Sequence, residues 1–120
     1  MSQPLDYKAL YDYCLAKPGS SHDFPFGPDV AVFRVAEKMF ALCNPHQQPL
    51  RINLKCEPLL AELLREKYDA VSPGWHMSKR HWNTITVGED LSDAQIYDQI
   101  DQSYDLIVAG LSKKVRNSLA

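Results

Sequence analysis

Between Leu50 and Lys55 the chain alternates strictly, with Leu50, Ile52 and Leu54 apolar and Arg51, Asn53 and Lys55 polar. Successive side chains of a β-strand point to opposite faces, so this hexapeptide satisfies both of its surfaces only as a strand with core on one side and solvent on the other. Its wet face is basic. A sheet that holds such a strand needs cover on one face only, which is the habit of antiparallel sheets.

The segments around it supply the cover and the remaining strands. Tyr7, Leu10, Tyr11, Cys14 and Leu15 fall at helical spacing, Asp6 is placed to cap the start, and Pro18-Gly19 stops the run. Val30 to Val35 and Met39 to Cys43 are rich in strand formers, and the short break Ala36-Glu37-Lys38 suits a tight hairpin. Pro58 suits the first turn of a helix, and Leu59, Leu60, Leu63 and Leu64 form an apolar stripe ending near Tyr68, which predicts a helix crossing back over the sheet. Pro73-Gly74 marks a turn before a strand from His81 to Val87, bounded by Gly88, with a shorter strand around Ala70 to Ser72 preceding it. Ser92 and Gln95 have the spacing of a capping box, and Ile96, Ile100, Tyr104, Ile107, Val108 and Leu111 repeat along one face of the longest helix. The resulting order is α-β-β-β-α-β-β-α, a two-layer α+β fold whose antiparallel sheet carries its helices on one face.

At 120 residues, 45% hydrophobic and 23% charged, the chain is sized and composed for one compact domain spanning residues 1–120. Thirteen Lys and Arg against fifteen Asp and Glu give a net charge of -2, so any attraction to nucleic acid has to come from a local patch. No apolar run approaches the roughly 18 residues of a membrane span, and no basic start leads into an apolar stretch, so no membrane association is expected. Cys14, Cys43 and Cys56 are odd in number and lack paired spacing. They read as buried or idle thiols in a reducing compartment, and the expected address is cytoplasmic.

The densest polar-aromatic stretch is Trp75-His76-Met77-Ser78-Lys79-Arg80-His81-Trp82-Asn83-Thr84, which contains no acid. Lys79 and Arg80 can neutralise phosphate, Trp75 or Trp82 can stack on an exposed base, and Asn83 can hydrogen-bond to a base edge. The competing reading makes the tryptophans core anchors and the cations a solvated turn. Arg51 and Lys55 share a strand face, while Lys113, Lys114 and Arg116 form a second basic cluster that also suits a helix C-terminus. From Glu89 to Asp105 the chain is acidic without a single Lys or Arg, so a phosphate-binding surface has to face away from it. His22, His46, His76, His81 and the cysteines match no familiar metal spacing, and the chain has no Gly-rich phosphate loop, nucleophile elbow or His-Glu-x-x-His helix. Neither a metal, a cofactor nor a catalytic residue is expected. Pro25-Phe26-Gly27-Pro28 forms either the lip of a ligand site or the closed edge of the core.

Four stretches together resemble the MmcQ/YjbR-like family: residues 13–19 (YCLAKPG), Val32-Phe33-Arg34-Val35 with Lys38-Met39-Phe40-Ala41, Leu54-Lys55, and residues 76–84 (HMSKRHWNT). The resemblance spans roughly residues 5 to 111, and the His-Met-x-Lys-x-His-Trp-Asn-Thr run is its most specific piece. It implies a two-layer fold like the type III secretion chaperones and a DNA-binding role proposed from a double-winged shape. The positions that match are Lys79, Arg80, His81, Trp82 and Asn83, while Ser78 stands where many relatives carry Asn. The expectation is a non-enzymatic binding protein for DNA, with Lys79, Arg80, Arg51 and Lys55 on phosphate and Trp82 either stacking or supporting the loop. The alternative is a protein-interaction or homodimerisation module that binds a protein partner or itself.

Overall fold

The computed structural model describes residues 5–74 and 77–119, so the readings placed on Trp75 and His76 lie outside the described residues. Its elements are α1 (Tyr7–Leu15), β1 (Ser20–Asp23), β2 (Ala31–Val35), β3 (Lys38–Cys43), β4 (Arg51–Lys55), α2 (Pro58–Lys67), β5 (Val71–Pro73), β6 (Trp82–Thr86), α3 (Asp93–Ala109) and α4 (Lys113–Asn117). The strands form one antiparallel sheet in the order β1-β2-β3-β4-β6-β5. The alternating segment is β4, at the interior of the sheet. Ile52 and Leu54 enter the main core together with Leu10 and Cys14 of α1 and Ile96, Ile100 and Ile107 of α3, and Leu64 of α2 packs against it. Arg51, Asn53 and Lys55 consequently project from the face without helices.

Local signals account for most boundaries. Asp6 accepts from the Ala9 N–H at 2.9 Å, and the Ser92/Gln95 capping box is formed in both directions. The β2–β3 hairpin turns on Ala36 and Glu37, both with positive φ (49° and 68°), which matches the twist of the flanking strands and lets Lys38 pair with Val35. Around Gly19, Lys17 binds Asp101 of α3, Tyr13 donates to the same carboxylate at 2.7 Å, and Tyr104 donates to the Pro18 carbonyl. Burial and the bond to Asp101 push the Tyr13 phenol up to about 12. This cluster ties the end of α1 to α3.

Several expectations change. β1 is a strand of Ser-Ser-His-Asp, which has no strand former; pairing with β2 creates it, and His22 is held between the rings of Tyr11 and Phe33. α4 adds a short last helix behind its Ser112 cap. His81 and Val87 lie in turns outside β6, and the short preceding strand runs Val71–Pro73. The leucine stripe of α2 is split: Leu64 packs against the core, whereas Leu59 and Leu63 are 70% and 61% exposed. At about 100° per residue, Ala61, Leu64 and Tyr68 share an arc of roughly 60°, and that arc meets the core.

A β-bulge decides how the layers lock. Phe33 pairs with Ala41 and Arg34 with Met39, so Phe40 is an extra residue whose ring turns into the core against Tyr104. Ser103 of α3, fully buried, donates to the Phe40 carbonyl at 2.6 Å and accepts from the Lys55 N–H at 2.9 Å. A helix hydroxyl thus completes the strand pairing where the β3–β4 register ends at Ala41 and Leu54.

Asp90 caps the loop before β5 by accepting from the Asp69 and Ala70 N–H groups at 2.9 and 2.8 Å. Those bonds, Ala70 first, hold its carboxyl below the ordinary 3.8. A depressed folded value means that the stabilisation is complete above the unfolded value and is lost as pH falls through the folded one. Denaturant unfolding of Asp90→Asn should therefore show less loss of stability below pH 3.8 than the parent; identical acid dependence would refute the assignment. No described helix is long and apolar enough to cross a membrane.

Candidate functional site

The face without helices carries a transverse row of side chains, Asp23, Val32, Leu42, Asn53, Thr84 and Ser72, each opposite the next in the strand register. Parallel to it, Arg51 lies opposite Thr86 and Lys55 opposite Trp82. Val32, Leu42 and Trp82 form a second buried cluster with Val30, Met39 and Met77 packed on it. Loops rather than helices cover this cluster, and they leave two depressions. One, of about 520 Å3, has Phe26, Met39, Leu42 and Met77 as apolar walls and Asn44, Gln47 and Asn53 as polar ones. The other, of about 360 Å3, is lined by Arg51, Ser72, Pro73, Thr84 and Thr86. They adjoin at the Thr84 hydroxyl, which donates to Asn53 Oδ1 at 2.5 Å.

At one end of this face stands the tip formed by Ser78, Lys79, Arg80 and His81, all exposed. The Ser78 carbonyl accepts from the His81 and Trp82 N–H groups at 3.1 and 3.0 Å, and the His81 carbonyl accepts from the Cys56 N–H at 2.8 Å. Arg65, in the last turn of α2, reaches under the tip: Nε donates to Asn83 Oδ1 at 2.7 Å, and one terminal NH2 group donates to the carbonyls of Trp82, at 3.2 Å, and Lys79. Gly74 donates to the Trp82 carbonyl at 2.8 Å, so close that a Cβ there would lie 2.7 Å from Trp82 Cβ. The tip is therefore held from three sides.

The sequence-predicted residues divide accordingly. Lys79, Arg80 and His81 sit exposed at the tip; Arg51 and Lys55 are half-buried on the open face, with Arg51 Nε donating to Thr86 Oγ1 at 3.4 Å. Trp82, 9% exposed, is packed in the second cluster, which matches the role of loop support and not of an exposed stacking platform. Asn83 is a correction: it points to the helix side, is 2% exposed, and is engaged by Arg65, so it does not reach a base edge. Its Nδ2 has no partner among the described residues. Lys113, Lys114 and Arg116 do not join Arg51 and Lys55, because Leu119 just beyond α4 packs against Gly19, beside the opposite edge of the sheet. Phe26 is 65% exposed and lines the larger depression, so the Pro25–Pro28 segment forms its lip.

Arg65 was missed because its partners lie 14 to 18 residues away in the chain and no local pattern announces them. Among the described residues the ion pairs are Lys8–Asp12, Lys17–Asp101 and Arg34–Asp23, which leaves Arg51, Lys55, Lys79 and Arg80 outside any of them. Burial pushes the Cys14 and Cys43 thiols up to about 12 and raises that of Cys56, which makes all of them poor nucleophiles at neutral pH. No group of three His, Cys, Asp or Glu side chains converges among the described residues.

The model of the YjbR family matches residues 15–106. The chain belongs to the YjbR family. It is 34% identical over 110 residues to the uncharacterised protein YjbR of Escherichia coli strain K12, covering 92% of this chain and 93% of that one. It is 38% identical over 91 residues to the uncharacterised protein YbdF of Escherichia coli O157:H7, covering 76% and 75%. A crystal structure of a Deinococcus radiodurans protein superposes with a TM-score of 0.89 at 32% identity, covering 95% of this chain and 87% of that one. The α+β fold is thus shared with a solved structure of related sequence.

Proposed function

We propose that this YjbR-family protein is a non-enzymatic DNA-binding protein whose contact surface is the uncovered sheet face together with the Lys79-Arg80-His81 tip. The observation that carries the reading is the separation of charge between the two faces. Asp93, Asp98, Asp101 and Asp105 all belong to α3, on the helix side, while Arg51 and Lys55 project from the opposite side of β4 and lie outside the ion pairs found among the described residues. The acid in the open face's transverse row, Asp23, is paired with Arg34, so a net charge of -2 is compatible with a basic face. The tip extends that face with exposed Lys79 and Arg80.

Fluorescence polarisation with labelled duplex and single-stranded DNA tests this at two salt concentrations. Four cations on phosphate give a log-log salt slope of roughly -3 to -4, so affinity should fall about a hundredfold between 50 and 200 mM salt. Lys79→Ala/Arg80→Ala should weaken binding and make the slope shallower by about 2. Binding that ignores salt, or no binding at low salt, would sink the proposal.

A second reading, a protein-interaction or self-association module, is favoured by one feature. Leu59 and Leu63 stand 70% and 61% exposed on α2 with no part in the core, which is the kind of apolar surface that partners cover. Sedimentation showing a monomer at all concentrations, unchanged by Leu59→Glu/Leu63→Glu, would remove the self-association form of this reading.

A further inference from the structure

We infer that the larger depression on the uncovered face is a pocket for one unpaired nucleobase, and that the adjoining Arg51 depression takes the phosphate of the same nucleotide. The inference rests on the nucleic-acid reading and narrows it to a nucleotide whose base is free to enter a cavity.

The lining fixes the chemistry. Among the described residues the 520 Å3 space has no charged side chain, so a phosphate or carboxylate gains nothing there, and its size falls within the range of small-molecule pockets. Phe26, Met39, Leu42 and Met77 offer flat apolar and thioether surfaces, which pair well with a planar aromatic ring. The polar groups are amides, and two of them have an acceptor already engaged. Asn53 Oδ1 accepts from Thr84, and Asn44 Oδ1 accepts from the His46 N–H at 2.9 Å. Asn44 and Asn53 therefore offer two NH2 donors each against one remaining lone pair, which makes the lining richer in donors than in acceptors, and Gln47 adds a further amide. A ligand that fits is neutral, planar and edged with carbonyl acceptors, as in thymine or uracil.

The neighbouring 360 Å3 depression has the opposite character. Arg51 spends Nε on Thr86 and keeps its terminal NH2 groups, the hydroxyls of Ser72 and Thr86 stand beside it while that of Thr84 is given to Asn53, and no acid among the described residues lines the space. Guanidinium and hydroxyls are the partners a phosphate selects. Because the two depressions meet at the Asn53–Thr84 bond, an apolar-walled base site and an anion site lie one strand apart, a spacing that a single nucleotide spans.

The test is a titration of the 15N-labelled full chain with thymidine, thymidine monophosphate and inorganic phosphate, followed through the side-chain NH2 signals of Asn44, Gln47 and Asn53. Thymidine and its monophosphate should both shift these signals, the monophosphate binding more tightly. Asn53→Leu and, should that variant fold poorly, Gln47→Ala should weaken both by roughly five- to tenfold, the worth of one hydrogen bond. Arg51→Met should weaken the monophosphate and leave thymidine unchanged. Oligothymidylate and an abasic oligomer of equal length separate a free nucleotide from a strand: preference for the base-bearing strand supports the inference. Salt-sensitive binding of both oligomers alike, with silent amides, overturns the base pocket and leaves the basic face standing. Amide shifts with mononucleotide but no binding of any oligomer uphold the pocket and overturn the nucleic-acid reading.

Discussion

Arg65→Met is expected to destabilise the protein by about 2–3 kcal/mol, because hydrogen bonds to a charged donor are worth more than neutral ones and their loss strands the buried amide oxygen of Asn83, while the Trp82 carbonyl keeps the Gly74 N–H. Methionine keeps the aliphatic stem but removes the donors that hold the carbonyls of Lys79 and Trp82 and the amide oxygen of Asn83, which is 2% exposed. Thermal unfolding should drop by roughly 8–12 °C. The larger consequence is local. With its underside released, the 77–82 segment should lose amide-exchange protection selectively, and under the DNA-binding proposal affinity should fall while the salt slope keeps its value, since that proposal gives Arg65 the positioning of the tip and no phosphate. A variant with unchanged melting and unchanged exchange in this segment would show that the tip is held by its own turn, Cys56 and Gly74 without Arg65.

Ser103→Ala removes a single oxygen yet should cost about 2–4 kcal/mol, because each buried backbone group left without a partner carries its own desolvation penalty. The hydroxyl serves the Phe40 carbonyl and the Lys55 N–H together, at the point where the bulge has interrupted the ladder and no strand atom can replace it. Ser103→Val refills the volume without restoring either bond, so it should be nearly as unstable as alanine. Equilibrium denaturation checks both; a loss under about 0.5 kcal/mol would place the change among ordinary surface substitutions and show that water replaces the hydroxyl. Lys55 belongs to the proposed contact face, so the same loss should blunt DNA affinity through slackness in β4.

Some of this was legible in residue order alone. The alternation from Leu50 to Lys55 set one apolar and one basic face before any partner strand was known, because the period of a strand is a property of its own backbone. The caps of α1 and α3 and the strong periodicity of Ile96, Ile100, Tyr104 and Ile107 were likewise decided within a few residues. What depended on the tertiary structure were features whose partners are remote. β1 has no strand propensity and exists because β2 offers it an edge. The orientation of α2 turned on which arc met the core: of the stripe Leu59, Leu60, Leu63 and Leu64, Leu64 packs against the core while Leu59 and Leu63 face outward, because helical spacing alone does not say which leucines a core will cover. The cavity needed Asn44, Gln47 and Asn53 brought together with Met77 from a loop more than twenty residues on. Trp82 and Asn83 show the division most sharply. Their adjacency guarantees that they point to opposite faces, but only the register, Trp82 against Lys55 and Asn83 against Leu54, sends the tryptophan to the open side and the asparagine beneath Arg65.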